Sequence, residues 1–306
     1  MTKLYYFIVL LFISVSANAQ YNWEIGGGLG VSNYLGDIGG GAGEAKNSVA
    51  DLKMNQSKLS VTAFSRYRFS HRIALGAFLT YGRIAGEDAN SENRSRRGRN
   101  LSFRNDLFEL AIRADVALYT NYDVGRKGYY NPDFKLYLFL GVAGLYSNPQ
   151  ANALSDGEWH NLRELKTEGQ FDPYSQIVFA IPGGLGFFFT YDRVNRFGFE
   201  AQYTLPFSDY LDDVSTVYAD PAILPNDLSI ELANRRPELD ESEDVPAPQN
   251  YTAGNKRGNP DNIDSYMFLR VYYSRVLRGK SGYYKRGQYN FLHRKNRKRR
   301  KSRAKF

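Results

Sequence analysis

Cysteine is absent from this chain of 306 residues. Its absence excludes a disulfide framework, a thiolate metal site, a cysteine nucleophile and a lipid anchor attached through cysteine. Long apolar runs are also scarce, and only one, at the extreme N-terminus, approaches the roughly 20 residues of a membrane-spanning helix. Together with a mean hydropathy of −0.50, this excludes a bundle of transmembrane helices. Aromatic residues, by contrast, are abundant, with 24 Tyr and 20 Phe.

The N-terminus has the features of a secretory signal peptide. Lys3 supplies a positive start, residues 4–15 are apolar, and residues 16–19 are small, with alanines at the spacing that a signal peptidase needs. We therefore expect residues 1–19 to be removed and the mature chain to leave the cytoplasm. A barrel domain is predicted for residues 20–279 and a basic tail, expected to be disordered, for residues 280–306.

After this segment the hydrophobic period is 2, which is typical of β-strands. In residues 107–119 an apolar face (Phe108, Leu110 and following alternate residues) lies opposite a face that carries Glu109, Arg113 and Asp115. Such a strand is either half-buried in a soluble protein or part of a membrane barrel with lipid outside and a polar lumen. Eight segments show the pattern: 22–36, 59–69, 73–85, 107–119, 134–146, 177–189, 197–205 and 264–276.

The gaps between these segments favour the membrane barrel. Odd-numbered connections are long and even-numbered ones are shorter, as in outer-membrane barrels with short periplasmic turns and long outer loops. The sequence thus predicts an all-β, eight-stranded antiparallel transmembrane barrel in the outer membrane of a Gram-negative bacterium, in contact with outer-membrane lipid. Both termini of such an even-stranded barrel are expected in the periplasm.

An eight-stranded barrel is only wide enough for side chains to fill its interior. We expect an inward-facing charge network instead of a conducting pore. Its predicted members are Arg66, Arg68, Glu109, Arg113, Asp115, Glu200 and Arg270.

Enzymatic chemistry is not predicted. The three histidines, His71, His160 and His293, fall in a short turn, a long loop and the tail, so they cannot converge on a metal or supply a general base beside a nucleophile. The glycine-rich start of the first strand lacks the Lys-Ser/Thr of a phosphate loop. We therefore expect no enzyme activity, no cofactor, no metal and no small-molecule substrate.

Two loops carry further patterns. Residues 155–158 resemble a capping box, with Trp159, Leu162 and Leu165 behind it at helical spacing, which predicts a short helix. The long segment 207–262 is rich in acids, including the stretch 238–244. Calcium could bind such acids, but a solvated loop is the favoured interpretation, and residues 228–232 leave open an extra hairpin there.

The tail has the strongest charge bias in the chain: residues 281–306 hold 11 Lys and Arg and no acid. Secretion excludes nucleic acid as its partner, which leaves lipid headgroups, cell-wall carboxylates or acidic proteins, with a solvated tail as the alternative. The candidate partner-binding residues are Arg294, Lys295, Arg297, Lys298, Arg299, Arg300 and Lys301.

Three stretches resemble one known family. Residues 24–37 resemble its first strand, ending in an S-x-Y-x-G-D element, and residues 257–268 resemble the start of its last strand. Residues 209–221 resemble its D-Y-L-D-D-V-S-x-x-Y-x-D-P signature, which is carried here by Asp209, Tyr210, Asp212, Asp213, Tyr218 and Asp220. This is the PorG-like outer-membrane β-barrel family of Bacteroidota.

The resemblance implies a component of the type IX secretion system that anchors a ring of periplasmic subunits and has no enzymatic activity. The alternative is a small envelope barrel that tethers the outer membrane to the cell wall or acts in adhesion. The basic tail and the acid-rich stretch 238–244 are less typical of the family, so the resemblance implies nothing about them.

Overall fold

The computed structural model describes residues 23–39, 56–121, 133–191, 194–240 and 245–277. The signal peptide predicted for residues 1–19 and the tail predicted for 280–306 lie outside the described residues and stay predictions. Within the described ranges, none of the helices has both the length and the apolar character to cross a bilayer.

Strands dominate the described chain. Their bounds are β1 Trp23–Leu35, β2 Lys58–Arg68, β3 Ile73–Glu87, β4 Ser102–Asn121, β5 Asp133–Tyr146, β6 Pro149–Asn152, β7 Trp159–Asn161, β8 Ile177–Tyr191, β9 Asn195–Pro206 and β10 Ser265–Leu277. The α-helices are α1 Arg94–Arg99, α2 Leu162–Leu165 and α3 Asp227–Ala233, and short 3₁₀ turns occupy Asp88–Asn90, Pro221–Ile223, Arg236–Glu238 and Pro248–Tyr251.

Eight of these strands form a closed antiparallel barrel, as predicted. The pairings run in the order β3, β2, β1, β10, β9, β8, β5, β4, and a further pairing of β3 with β4 closes the circle. β1 therefore lies between β2 and β10, so the first and last strands of the domain are neighbours. The short strands β6 and β7 form an additional hairpin that pairs with the beginning of β4, at Arg104 and Asn105.

The predicted faces of the strands are confirmed. In β4, Leu110 and Ile112 are 60% and 54% exposed, whereas Glu109 and Arg113 are each 1% exposed. One assignment was wrong: the period places Tyr119 inside, but it is 56% exposed. The cause is a β-bulge between Ala117 and Tyr119, which reverses the alternation at the end of the strand.

The two ends of the barrel differ. We call the end where β1 begins and β10 finishes the terminal end, because Trp23 pairs there with Leu277. The connections at this end are 69–72, 122–132 and 192–194, whereas those at the opposite loop end are 36–57, 88–101, 147–176 and 207–264. The predicted alternation of short and long connections is thus present in the structure.

One prediction about the loops was wrong in detail, and one alternative that the sequence left open is decided by the structure. Residues 155–158 do not cap a helix, because Trp159–Asn161 pairs with Pro149–Asn152 and the helix begins only at Leu162. The segment 228–232 belongs to helix α3 and not to an extra hairpin. Asn226 caps this helix by accepting a hydrogen bond from the Ser229 backbone N–H, which favours a helix over an edge strand.

The lumen is filled by the predicted charge network. Glu200 lies at its centre, where it accepts from Arg66 Nη2 at 3.0 Å and Arg270 Nε at 2.9 Å and also pairs with Arg113. Asp115 pairs with Arg66 Nε at 2.7 Å. Because guanidinium groups are surrounded by carboxylates and rings here, the barrel has a packed interior in place of an aqueous channel.

Some members of the network were not predicted. Glu24 pairs with Arg66 and Arg196, and Tyr137 donates to Glu200. Arg113 also lies against aromatic rings, with its Cζ 3.5 Å from the centre of Phe78. The predicted Arg68 is half-buried and lies nearer the terminal end.

Candidate functional site: a plug at the loop end

The barrel is closed at its loop end by loop residues that are as buried as a protein core. We use the name loop plug for residues 34–38, 209–218 and 257–264. Leu211 and Val214 are 0% and 1% exposed, and the neighbouring Asp212 and Asp213 are 1% and 0% exposed. The prediction that the acids of this segment are solvated is therefore wrong for these two residues.

Tyr34 holds two carboxylates together at the centre of the plug. Its hydroxyl lies 2.6 Å from Asp212 Oδ2 and 2.5 Å from Asp264 Oδ1. A hydroxyl has only one proton to donate, so the Tyr34 proton cannot satisfy both carboxylates at once. Burial raises the pKa of Asp212 and of Asp264, and neighbouring carboxylates add to the rise. This favours an extra proton within the cluster.

The backbone N–H groups of the plug are satisfied by the same carboxylates. Asp212 accepts from the Val214 N–H at 2.8 Å, and Asp264 accepts from the Leu211 N–H at 3.0 Å. The Asp212 contact is the local kind that short Asp side chains readily make in turns, whereas the Asp264 contact joins two distant segments. Two backbone N–H groups of the plug are thus held by the plug's own carboxylates.

Arg257 provides a positive charge beside Asp213, which is the second buried acid of the plug. Its guanidinium lies 3.0 Å from Glu168 Oε1 and 3.7 Å from Asp213 Oδ2. Asp213 also accepts from the Tyr174 hydroxyl at 2.8 Å, and burial raises the pKa of Asp213 to about 6. Glu168 in turn accepts from the Ser215 N–H at 2.9 Å. The loop before β8 therefore helps to hold the plug.

Asp37 joins the first strand to the last long loop. Its carboxylate accepts from the Asn259 N–H at 2.5 Å, and its backbone carbonyl accepts from Arg99 Nη2 at 2.7 Å. Arg99 also pairs with the buried Asp88 at 2.7 Å. Burial raises the pKa of Asp37, whereas Arg99 opposes the rise.

The remaining signature residues lie around this centre. Asp209 is half-buried, accepts from the Asp264 N–H at 3.2 Å, and has its pKa raised to about 7 by burial. Tyr210 stacks on Tyr174 with ring centres 4.8 Å apart. Tyr218 is buried, and Asp220 is exposed and caps a short turn by accepting from the Ala222 N–H.

The three stretches that carry the family resemblance converge in this plug. Tyr34 and Asp37 come from the first, Asp212 and Asp213 from the second, and Arg257 to Asp264 from the third. The resemblance marked these stretches as motifs without predicting that they touch. Glu168 and Tyr174 were missed altogether, because a single acid and a single tyrosine in a polar loop give no pattern from which to predict burial.

Other predicted sites are separate from the plug. The basic tail residues 294–301 lie outside the described residues, so their role stays a prediction. His71 lies in the turn at the terminal end and His160 in β7 at the loop end, where it contacts Asp156 at 2.8 Å. Across the described ranges, no group of three or more His, Cys, Asp or Glu side chains is placed to hold a metal ion.

A family model described as "Domain of unknown function (DUF6089)" matches residues 2–220 of the chain. The chain belongs to the DUF6089 family. The match to DUF6089 covers the strands up to β9 and ends at Asp220, the last acid of the signature at 209–221. A comparison with curated proteins found no match.

Solved structures similar to this DUF6089 barrel are outer-membrane proteins of low sequence identity. OprG from Pseudomonas aeruginosa is 11% identical, with 85% of this chain and 98% of that chain covered at a TM-score of 0.37. Neisserial surface protein A is 7% identical, with coverages of 83% and 97% and a TM-score of 0.36. Ail of Yersinia pestis is 10% identical, with coverages of 84% and 98% and a TM-score of 0.33.

Proposed function

We propose that this DUF6089 barrel is a non-enzymatic, PorG-like component of the type IX secretion system that anchors a periplasmic ring at the outer membrane. The observation that carries the proposal is the convergence of the three family-like stretches. Tyr34, Asp212 and Asp264 come from distant parts of the chain, yet they share one hydrogen-bonded centre. A resemblance spread over three separate motifs is more specific when those motifs form one structural unit.

The filled lumen supports an anchoring role over a conducting one. Arg66, Arg113 and Arg270 surround Glu200 across the barrel and leave its interior packed. We therefore assign the proposed function to the surfaces at the two ends. In the proposed orientation the terminal end faces the periplasm and continues into the basic tail, and the loop end faces outward.

The tail is the proposed contact with the ring. Residues 281–306 carry 11 basic residues and no acid, which suits an acidic protein surface. Attraction between exposed charges fades over a Debye length of about 8 Å at physiological salt. The proposed docking should therefore weaken steeply as salt is raised.

The test is co-purification of the affinity-tagged full-length chain from its native cells in mild detergent. Recovery of periplasmic ring subunits at low salt, reduced at high salt and by truncation after Gly282, would support the anchoring role. The truncation leaves all eight barrel strands intact, so a folded barrel is expected in every sample. Recovery of cell-wall fragments in place of ring subunits would favour the envelope tether and contradict the secretion role.

A further inference from the structure

An apolar groove crosses the outer surface of the barrel over strands β1, β10 and β9. Its volume is about 820 Å³. The side chains that line it include Leu29, Val271 and Phe197, which are exposed and point away from the lumen. The outer surface of a membrane barrel faces the hydrocarbon of the bilayer. The groove therefore opens toward lipid and is separate from both the lumen and the loop plug.

The groove exists because β1 has a glycine where neighbouring strands have side chains. Gly27 faces outward between Ala63 on β2 and Tyr273 on β10. A Cβ at this position would lie 3.4 Å from the Thr62 carbonyl oxygen, which is an ordinary contact. Backbone packing thus does not require glycine here, and its effect is to leave apolar space on the outer surface.

A positive charge lies beside the groove on the side of the terminal end. Arg275 is the next outward-facing residue of β10 after Tyr273, and it is exposed. Its partners on the adjacent strands are Ile25 and Asn195, neither of which is an acid. By contrast, Arg83, which faces outward near the loop end, is paired with an acid 2.7 Å away. Arg275 is therefore available to an anion that comes from the membrane.

Aromatic side chains indicate that Arg275 lies at the level of the lipid headgroups. Trp23 is exposed at the start of β1, and its ring centre is 5.0 Å from that of Tyr67. The Tyr273 hydroxyl donates to Asn195 Oδ1 at 2.9 Å on the same face. Trp and Tyr concentrate at the membrane–water interface, and long Arg side chains near the ends of spanning segments extend to that interface. Arg275 can therefore contact a headgroup while an acyl chain of the same lipid lies in the groove.

We propose that Arg275 and the groove form a binding site for an anionic phospholipid of the periplasmic leaflet. Arg275 would donate to the headgroup phosphate, which suits guanidinium geometry, and one acyl chain would fill the space beside Gly27. A headgroup with net negative charge is favoured, because neither Ile25 nor Asn195 offers a carboxylate to the ammonium group of a zwitterionic lipid. The inference uses the proposed orientation, with the terminal end in the periplasm, but not the secretion role.

The experiment measures quenching of Trp23 fluorescence by phospholipids with brominated acyl chains. The full-length protein carries Trp159→Phe, which leaves Trp23 as the remaining one of the 2 tryptophans, and is placed in phosphatidylcholine nanodiscs. Brominated phosphatidylglycerol and brominated phosphatidylethanolamine are compared at equal mole fractions. We expect phosphatidylglycerol to bind about fivefold more tightly, the factor expected for one basic residue at an anionic membrane surface. Equal binding of the two lipids would overturn the proposal.

Headgroup variants identify Arg275 as the source of the preference. Arg275→Gln should abolish the preference for phosphatidylglycerol, and Arg275→Lys should retain most of it. Arg72→Gln is the control matched in charge, because Arg72 is an exposed cation at the same end and lies outside the groove. The basic tail is present in every sample, so its attraction for anionic lipid is common to all of them. An unchanged preference in Arg275→Gln would contradict the site.

Glycine variants test the acyl-chain part of the site. Gly27→Leu should fill the groove and lower the affinity for phosphatidylglycerol severalfold, because the acyl chain loses apolar contact, and Gly27→Ala should have a smaller effect. Gly144→Leu is the matched control: Gly144 lies on β5, on the opposite side of the barrel from β1, and a Cβ there meets open space. Retained heat-modifiable mobility in electrophoresis verifies that each variant is folded. Equal effects of Gly27→Leu and Gly144→Leu would overturn the assignment of the groove.

This experiment is independent of the test of the secretion role. It measures bound lipid in nanodiscs and not ring subunits recovered from cells. Loss of the lipid preference would therefore leave the anchoring role standing, and a failure to recover ring subunits would leave the lipid site standing.

Discussion

The lumen and the loop plug are both buried and polar, but they neutralise their carboxylates differently. The lumen holds four nearly buried carboxylates and four nearly buried arginines: Glu24, Glu109, Asp115 and Glu200 with Arg66, Arg113, Arg196 and Arg270. All of these carboxylates except Glu109 pair with an arginine. The plug buries more acids than cations: Asp37, Asp212, Asp213 and Asp264 against the single Arg257. Hydroxyls and backbone N–H groups take the place of the missing cations there.

This difference indicates that the lumen and the plug are destabilised by different changes. Opposite charges in the lumen compensate one another as long as the carboxylates are ionised, so removal of one partner is the damaging event. The plug depends on protons retained by buried acids, so a rise in pH is the damaging event there. The four predictions below test this contrast, from the largest expected effect to the smallest.

Arg113→Leu should destabilise the barrel most, by about 3–5 kcal/mol, which is typical when one partner of a buried ion pair is removed. Arg113 pairs with Glu200 and lies over Phe78. The measurement is the urea dependence of unfolding of the barrel refolded in detergent. Arg83→Leu is the control, because Arg83 pairs with Asp106 at a partly exposed site and should cost only about 0–1 kcal/mol. Equal losses would contradict the assigned lumen.

Leu110→Arg should cost about 2–4 kcal/mol if the outer face of β4 lies against lipid near the midplane of the membrane. Leu110 is 60% exposed, on the outer face of the strand. Leu118→Arg is the depth control, since Leu118 lies on the same face near the terminal end and should cost about 0–1 kcal/mol. The free energy of unfolding in lipid vesicles measures both. Similar values for the two variants would contradict the assignment of this face to the lipid bilayer.

The plug should open more readily as pH rises. Burial raises the pKa of Asp213 to about 6 and that of Asp209 to about 7. The stability that these retained protons contribute is complete below about pH 4 and is lost as pH rises through 6 to 7. Each retained proton corresponds to about 1.4 kcal/mol per pH unit. Hydrogen exchange at the Leu211 and Val214 amides, corrected for intrinsic exchange, should show protection that falls across this range.

Asp209→Asn is the variant that sharpens this prediction. It removes the half-buried acid with the raised pKa, so the loss of protection with pH should become shallower by about one proton. Asp220→Asn is the control, because Asp220 is exposed and caps a separate turn. A pH dependence that is the same in Asp209→Asn as in the unmodified chain would show that the plug does not titrate as proposed.

The smallest effect is expected at the Asp156–His160 pair in the loop that contains β7. Its side chains are 45% and 27% exposed, and exposed ion pairs contribute about 0–1 kcal/mol. Asp156→Asn should therefore leave the urea midpoint nearly unchanged. A loss as large as that of Arg113→Leu would mean that the distinction between buried and surface charge drawn here is wrong.

The barrel strands could be predicted because their alternation depends on neighbours two residues apart. β4 shows the limit of that reasoning: the strand runs from Ser102 to Asn121, longer than the predicted 107–119. Four of the five residues 102–106 are polar, so a lipid-facing pattern stops there, although Phe103 and Asn105 still point inward. The bulge at Tyr119 could not be predicted either, because the sequence pattern does not show where a strand contains an extra, unpaired residue.

The plug could be located but not described from the sequence. The signature at 209–220 pointed to the correct segment through resemblance. Its acids looked solvated, because a cluster of aspartates in a long polar loop usually is. Burial of Asp212 depends on Tyr34, which is 178 residues away, and no local pattern contains that contact.

The Tyr34 contact also links formation of the plug to closure of the barrel. Tyr34 belongs to β1 and Asp264 immediately precedes β10, and these two strands form the seam between the start and the end of the domain. The centre of the plug can therefore assemble only after the last strand has met the first. This contact holds the first and last strands of the domain together. Protection of the plug amides from hydrogen exchange would therefore indicate that the barrel has finished folding.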